Sequence, residues 1–521
     1  MNSPNNAAAL RTLIIYAVCV PLAVMIGYVL TNPMDYSTLG VLGIVVLLLI
    51  SPALLRWHHP MLILSWNLGM TLFFLKGSPN LWFLMVLLSL GISLLERALS
   101  GEMHFVRAPQ ITWPLLCLVA VALLTAKLTG GIGVRALGSN VYGGRKYVYL
   151  MLGIMSYFAL TSRRIPPERV PLYIGMFFLA GLTSIISDLF PFMPGWSHFL
   201  YWMFPPSMYN FASADFAVGQ TRLVGIATAG VMLWSWLMIR YGIRGIFLGG
   251  KLWRLAVFGL SLAMILLGGF RSQLLFVTVV FMFQFFAEGL HRTRLLPAFA
   301  WMGIMAMVIV VPLASKLPFT FQRALAFLPL DLDPAAKYAA QSTWIWRTQM
   351  WTALLPQVPK YFLLGKGLAI TPEEYNEMMG TPLGLTTGAI DPGQDPMALS
   401  YDYHNGLLSV LIPFGIWGGL VVFWFLAAGL RVVYHNFRYG DPSLRTINTF
   451  FFAEFLVYIP QFIIGGSLPY DIARFAGVLG LSIAFNGGVC QPVPQPVPAK
   501  EPFPRPRGVL PRSQPRPAFP R

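Results

Sequence analysis

Three side chains of this sequence join useful chemistry to an unusual setting. Arg222 lies in GQTRLVGIATAG, Arg271 in LLGGFRSQLLF and His404 in YDYHNGLLSVLIPFGIWGGL. Each sits where polar chain gives way to a long apolar run, and a titratable group in such a place needs a reason. An arginine there is often an interfacial anchor whose stem lies along apolar surface. Arg271 is less ordinary. It has no charged neighbour, follows Gly268 and Gly269, and belongs to a tight hairpin with two hydrophobic arms. Glycines at such a turn let a backbone or a ligand come close. His404 opens a predicted helix, and the positive end of a helix disfavours the imidazolium. A neutral imidazole can accept a proton from a sugar hydroxyl. Either Asp402 or Tyr403 stands close enough in the chain to orient the ring. Guanidinium forks match phosphate oxygens and keep their charge when partly buried. They suit a diphosphate leaving group as its charge develops. Two guanidinia and one base on a common face describe glycosyl transfer from a lipid-linked diphosphate sugar.

The elements that would hold these groups follow from composition. Of 521 residues, 56% are hydrophobic and 11% charged. A soluble chain would carry about a quarter charged residues. The apolar residues come in blocks long enough for a helix to cross a bilayer, roughly 20 residues each. The expected fold is all-α: a polytopic transmembrane helical bundle of about 12–14 spans. Candidate spans fall near 12–30, 38–55, 60–75, 79–95, 112–128, 147–161, 171–190, 223–239, 255–270, 272–290, 295–314, 405–430, 446–464 and 472–488. The transmembrane domain is placed at 1–490, with a Pro-rich, basic, disordered tail at 491–521.

Lys+Arg outnumber Asp+Glu by 36 to 19, a net charge of +17. Positive-inside bias explains this excess without nucleic acid. With the N-terminus inside, the strongly basic short loops all fall on the inner side, including those with Arg163, Arg164, Arg240, Arg244, Arg292, Arg294, Arg438 and Arg445. Both termini are then cytoplasmic, and Arg222, Arg271 and His404 face outward. Two outer segments are long. An aromatic one spans 190–222 and is suited to the membrane interface. A second spans 315–404, and a loop of that length in a compact protein is usually functional. Within it, 342–355 reads as an amphipathic helix through Trp344, Arg347 and Trp351. The three cysteines, Cys19, Cys117 and Cys490, suggest neither a disulfide framework nor a metal cluster. No metal and no cofactor is expected.

Other chemistries have little support. There is no P-loop, no nucleophile elbow and no HExxH-type metal motif. A transporter or flippase is the main alternative, with Glu288 and Glu454 as its best midplane groups, although no inverted repeat is evident. A structural membrane protein is a third.

Four stretches occur in an order that resembles the O-antigen ligase and O-antigen polymerase (Wzy-type) superfamily of bacterial inner-membrane glycosyltransferases. TRLVGIATAG is similar to its Arg-x-x-Gly stretch, and GGFRSQLL to its Gly-x-x-Arg segment. WRTQMWTALLPQVPKYFLLGKGL resembles its Arg…Trp…Pro…Gly-x-Gly element. HNGLLSVLIPFGIWGGL is the nearest match, to the His-Asn element that starts the next span. The resemblance covers about 220–430. It implies a GT-C-like bundle with one large late periplasmic loop. It implies metal-independent, inverting transfer of a glycan from an undecaprenyl-diphosphate-linked donor to a glycolipid or polysaccharide acceptor, as in lipopolysaccharide and polysaccharide biosynthesis. In that reading Arg222 and Arg271 bind the diphosphate and His404 activates the acceptor hydroxyl. Arg347 and Asn405 are further candidates for substrate binding. The resemblance leaves ligase, polymerase and protein O-glycosyltransferase open.

Overall fold

A computed structural model describes residues 36–75, 77–100, 104–134, 139–189, 192–205, 223–380 and 401–492, with isolated positions between 16 and 31. The described residues form helices and connecting turns, with only two isolated β-bridges among them. In chain order the principal helices are α1 (Tyr36–Ser65), α2 (Leu81–Ser100), α3 (Pro109–Leu128), α4 (Gly144–Leu160), α5 (Val170–Leu179), α6 (Val224–Phe247), α7 (Leu252–Leu267), α8 (Arg271–Ala287) and α9 (Leu295–Leu313). The 315–404 stretch contributes α10 (Phe319–Leu325), α11 (Pro334–Leu354) and α12 (Pro372–Gly380). The chain then closes with α13 (Gly406–Tyr439), α14 (Arg445–Gly465) and α15 (Leu468–Asn486). Among the described residues, eight helices are long and apolar enough to cross a membrane, and α7 and α8 are shorter apolar helices. The chain is a polytopic helical membrane protein.

The first, N-terminal expected span and the Pro-rich tail lie largely outside the described residues. One expected span differs. Helix α1 bends at Trp57, three residues before Pro60, and stops at Ser65 rather than continuing to 75. Residues 66–75 and 77–80 run as turns and extended chain. Non-helical backbone inside a bundle must find partners in the protein. Here the Asn67 amide donates to the Phe177 carbonyl at 2.9 Å. The Thr71 N–H donates to the Met203 carbonyl at 2.7 Å, and the Thr183 hydroxyl to the Leu68 carbonyl.

Helices α3, α4, α13, α14 and α15 pack against one another. Phe414, Phe425, Phe450, Phe451, Phe455, Phe475 and Phe485 are fully buried between them. Helix α9 is the opposite case, with none of its residues buried. It touches the bundle through Phe299, which meets Phe247, Phe281 and Phe285 with ring centroids 4.8–5.6 Å apart.

The two ends of the bundle differ. His404 and Arg271 lie at one end. At the other, Arg163 donates to Glu96 at 2.6 Å, and Arg244, Arg438 and Arg445 close or open their helices. Helix α6 is broken there at Gly242 (φ 63°). The Glu288 carboxylate accepts from the freed N–H groups of Ile243 and Arg244 at 3.0 and 3.2 Å.

A second break positions the site. Pro413 lacks an N–H and obstructs a regular helix, and Gly415 (φ 62°) interrupts α13. The loop segment 362–367 fills the gap with backbone hydrogen bonds. Lys366 and Gly367 N–H donate to the Ile412 and Pro413 carbonyls at 2.8 and 2.9 Å, and Ile416 N–H donates to the Phe362 carbonyl at 2.7 Å. The approach requires glycine at 365, where φ is 76° and a Cβ would stand 2.2 Å from the Pro413 carbonyl oxygen. The Gly-Lys-Gly motif is thus a clamp between loop and helix.

Candidate active site

His404 belongs to a short strap, 401–405, leading into α13. Tyr401 and Tyr403 are 2% and 1% exposed. The Tyr401 hydroxyl donates to the Ala369 carbonyl at 2.8 Å. The Tyr403 carbonyl accepts from Trp351 Nε1 at 2.8 Å. Asp402 and His404 are the more accessible pair, their side chains 27% and 18% exposed. The backbone is left-handed at Tyr401 (φ 60°) and His404 (φ 45°), a conformation that costs a non-glycine residue about 1–3 kcal/mol and clusters at functional sites. Asn405 follows as the N-cap of α13, its side-chain oxygen accepting from the Leu408 N–H at 3.1 Å.

His404 Nδ1 is 4.0 Å from an Asp402 oxygen. That is an ion-pair distance for a protonated ring rather than a hydrogen bond. The Trp346 ring stands edge-on to the imidazole, centroids 5.7 Å apart. Of the two residues the sequence left open as orienting partners, Asp402 faces the ring. Burial pushes the Tyr403 phenol far above its usual range, so it stays neutral.

Helix α11 forms the other wall. It is longer than the 342–355 expected, because Asp333 caps it by accepting from the Ala335 N–H at 2.8 Å and Pro334 occupies its first position. Arg271, the first residue of α8, donates from Nη2 to the Ala340 carbonyl at 2.7 Å. Trp346 is six residues further along α11, about 9 Å of helical rise. Arg271 and His404 therefore address the same helix, roughly one and two-thirds turns apart. Arg347, also on α11, brings Nη1 within 3.8 Å of where a Cβ on Gly465 would stand. Arg222 lies outside the described residues. Its neighbour Leu223 has its carbonyl oxygen 3.4 Å from the position of a Cβ on Gly268, in the turn that leads to Arg271. Asp188 accepts from the Ile226 N–H at 2.7 Å and so caps α6. A Cβ on Gly225 would meet the Ser184 carbonyl oxygen at 2.0 Å.

Several groups near this end were not singled out by sequence. Lys146, at the start of α4, is 7% exposed. Lys366 pairs with Glu374 at 2.7 Å. Arg474 lies over the Tyr458 ring at 3.9 Å and the Phe276 ring at 4.8 Å, with Glu454 at 3.6 Å. Tyr458 donates to Asp471, which also accepts from the Ser467 N–H at 2.6 Å. The i,i+3 spacing of Asp471 and Arg474 and the i,i+4 spacing of Glu454 and Tyr458 were available as signals.

Residues 256–423 match the family model described as O-antigen ligase. The match runs from α7 into α13 and includes Arg271, Arg347, His404 and Asn405, while Lys146, Arg222 and Arg474 fall outside it. No curated protein matches the chain.

Proposed function

From a chain placed in the O-antigen ligase/polymerase superfamily, we propose transfer of a glycan from an undecaprenyl-diphosphate-linked donor to an acceptor hydroxyl, at the periplasmic face of a bacterial inner membrane. His404 is the base. It takes the proton as the acceptor oxygen bonds to the anomeric carbon from the face opposite the diphosphate. The bond from that carbon to the diphosphate oxygen breaks, and the leaving group keeps the electron pair. Inversion follows from that geometry. Arg271 and Arg222 hold the diphosphate charge, a role that guanidinium forks fill without a metal. Arg347 and Asn405 contribute to substrate binding in this reading. The reading rests above all on His404, held in a left-handed backbone beside Asp402 and Trp346, with Arg271 anchored to the same helix α11. The two carboxylates a transporter would need are engaged, Glu288 with backbone N–H groups and Glu454 with Arg474.

The test is glycan attachment in cells carrying His404→Ala at normal protein level. Loss of a general base lowers the rate by about 10²–10⁴. Unchanged attachment would remove His404 from catalysis. The lipid-linked species in the deletion strain separate the two kinds of enzyme: long chains left on lipid mark a ligase, single repeat units a polymerase.

A further inference from the structure

Two cavities at the end of the bundle opposite His404 differ in charge. One, of about 490 Å³, is lined by Arg240 but also by Glu168 and Asp441. The other, of about 310 Å³, lies between the end of α6 and the turn that starts α9. Its lining is Arg244, Arg294, Thr293 and three leucines, Leu248, Leu290 and Leu295, with no acid among them. Both arginines stand on braced backbone. The Glu288 carboxylate accepts from the Ile243 and Arg244 N–H groups and from the Gln284 amide at 2.8 Å. Its oxygens are thereby engaged, and neither guanidinium pairs with a carboxylate among the described residues. The Thr293 hydroxyl donates to the Leu290 carbonyl at 2.6 Å and accepts from the Leu295 N–H at 3.3 Å, which fixes the turn carrying Arg294.

The surroundings add to the positive field. Segments 240–254 and 288–294 carry six Lys and Arg residues against one acid, Glu288. Positive-inside bias accounts for basic residues at a membrane surface. It does not require two guanidinia to share a cavity with leucines. Guanidinium forks match the oxygens of a phosphate group, and leucines match the apolar part of the same molecule. Leu290 is fully buried, whereas Leu248 is 59% exposed. Helix α9, which begins at this cavity, has none of its residues buried, and over 300–309 it is exposed on every face. That leaves room for acyl chains to run from the cavity along α9.

We propose that this cavity binds an anionic phospholipid: Arg244 and Arg294 hold the phosphate, Leu248 and Leu295 cover the glycerol and the first acyl carbons, and the chains lie against α9. Basic pockets between membrane helices suit phosphate head groups in general. A free phosphate would satisfy the guanidinia but leave the leucines uncovered. A zwitterionic lipid would bring a cation into a field that is already positive. The site lies at the opposite end of the bundle from His404, so the inference stands whether or not that residue is the base.

The experiment titrates the delipidated full chain in detergent with phosphatidylglycerol, with phosphatidylcholine of the same chains, and with inorganic phosphate, reading bound lipid by native mass spectrometry. Phosphatidylglycerol should bind about tenfold or more tighter than phosphatidylcholine, and millimolar phosphate should not displace it. The Arg244→Gln, Arg294→Gln double variant should lose about tenfold or more in phosphatidylglycerol affinity. Arg97→Gln with Arg438→Gln removes the same charge from the same end, outside the cavity, and should stay within about twofold of wild type. Equal losses in the two double variants overturn the inference in favour of diffuse surface charge. Equal binding of the two lipids overturns it as well, and displacement by phosphate makes the cavity a phosphate site instead. If the Arg244, Arg294 variant does not fold, a photoreactive phosphatidylglycerol on wild-type protein decides the matter: label on 244–248 and 290–295 supports the site, and label elsewhere rejects it.

Discussion

His404 shows how much structure one side chain requires. Its left-handed backbone is held by buried tyrosines on one side and a helix cap on the other: Tyr401 and Tyr403 fix the strap, and Asn405 begins α13. A residue kept against its own conformational preference should trade stability for activity. Two truncations at this position make the point measurable. Both His404→Gly and His404→Ala remove the ring, so neither should transfer glycan. Glycine tolerates positive φ and alanine does not. His404→Gly should therefore melt above His404→Ala, by about 1 kcal/mol of stability. Equal melting of the two in detergent would show that the strap relaxes without strain. The tyrosines also explain a choice that spacing left open. Tyr403 is turned inward and Asp402 toward the imidazole.

At the scale of elements, the site depends on helices that break. Pro413 and Gly415 open α13, and the chain around Gly365 and Gly367 closes the gap with three backbone hydrogen bonds. In a bundle surrounded by lipid, freed backbone groups must be paired within the protein, so the break and the clamp depend on each other. Gly365→Ala should disrupt the clamp, since its Cβ would stand 2.2 Å from a backbone oxygen at φ 76°. The expected cost is about 1–3 kcal/mol. It should appear as faster proteolysis of the 361–370 segment and reduced transfer, with the rest of the bundle intact. Wild-type proteolysis would mean that the loop docks by other contacts.

The whole molecule is polar in charge. Arg163, Arg164, Arg244, Arg438 and Arg445 gather at the end of the bundle opposite His404. On the proposed reading, positive-inside bias orients the site outward. Single cysteines introduced at Lys316 and at Ser443, in a chain with Cys19, Cys117 and Cys490 replaced, should react with an impermeant maleimide in whole cells at 316 only. Labelling at 443 instead would invert the topology and place the chemistry on the cytoplasmic face.

Hydrophobic blocks are local and bilayer thickness is constant, so the all-helical bundle, most of its spans and the uneven ends were legible in the residue order. His404 and Arg271 were singled out from the residue order because each stands where an apolar run begins, and a polar group there stands out in one dimension. The 60–75 stretch misled because apolar residues buried among protein neighbours look like apolar residues in lipid, and only the contacts of Asn67 and Thr71 tell them apart. Helix α11 was read short because its start lies in the Asp333–Pro334 cap rather than in its apolar face. Lys146 near the His404 strap, Arg474 against Glu454 and Glu288 under Gly242 were decided by the packing alone. Charge pairing between helices distant in the chain carries no periodicity, and it exists only once the helices have met.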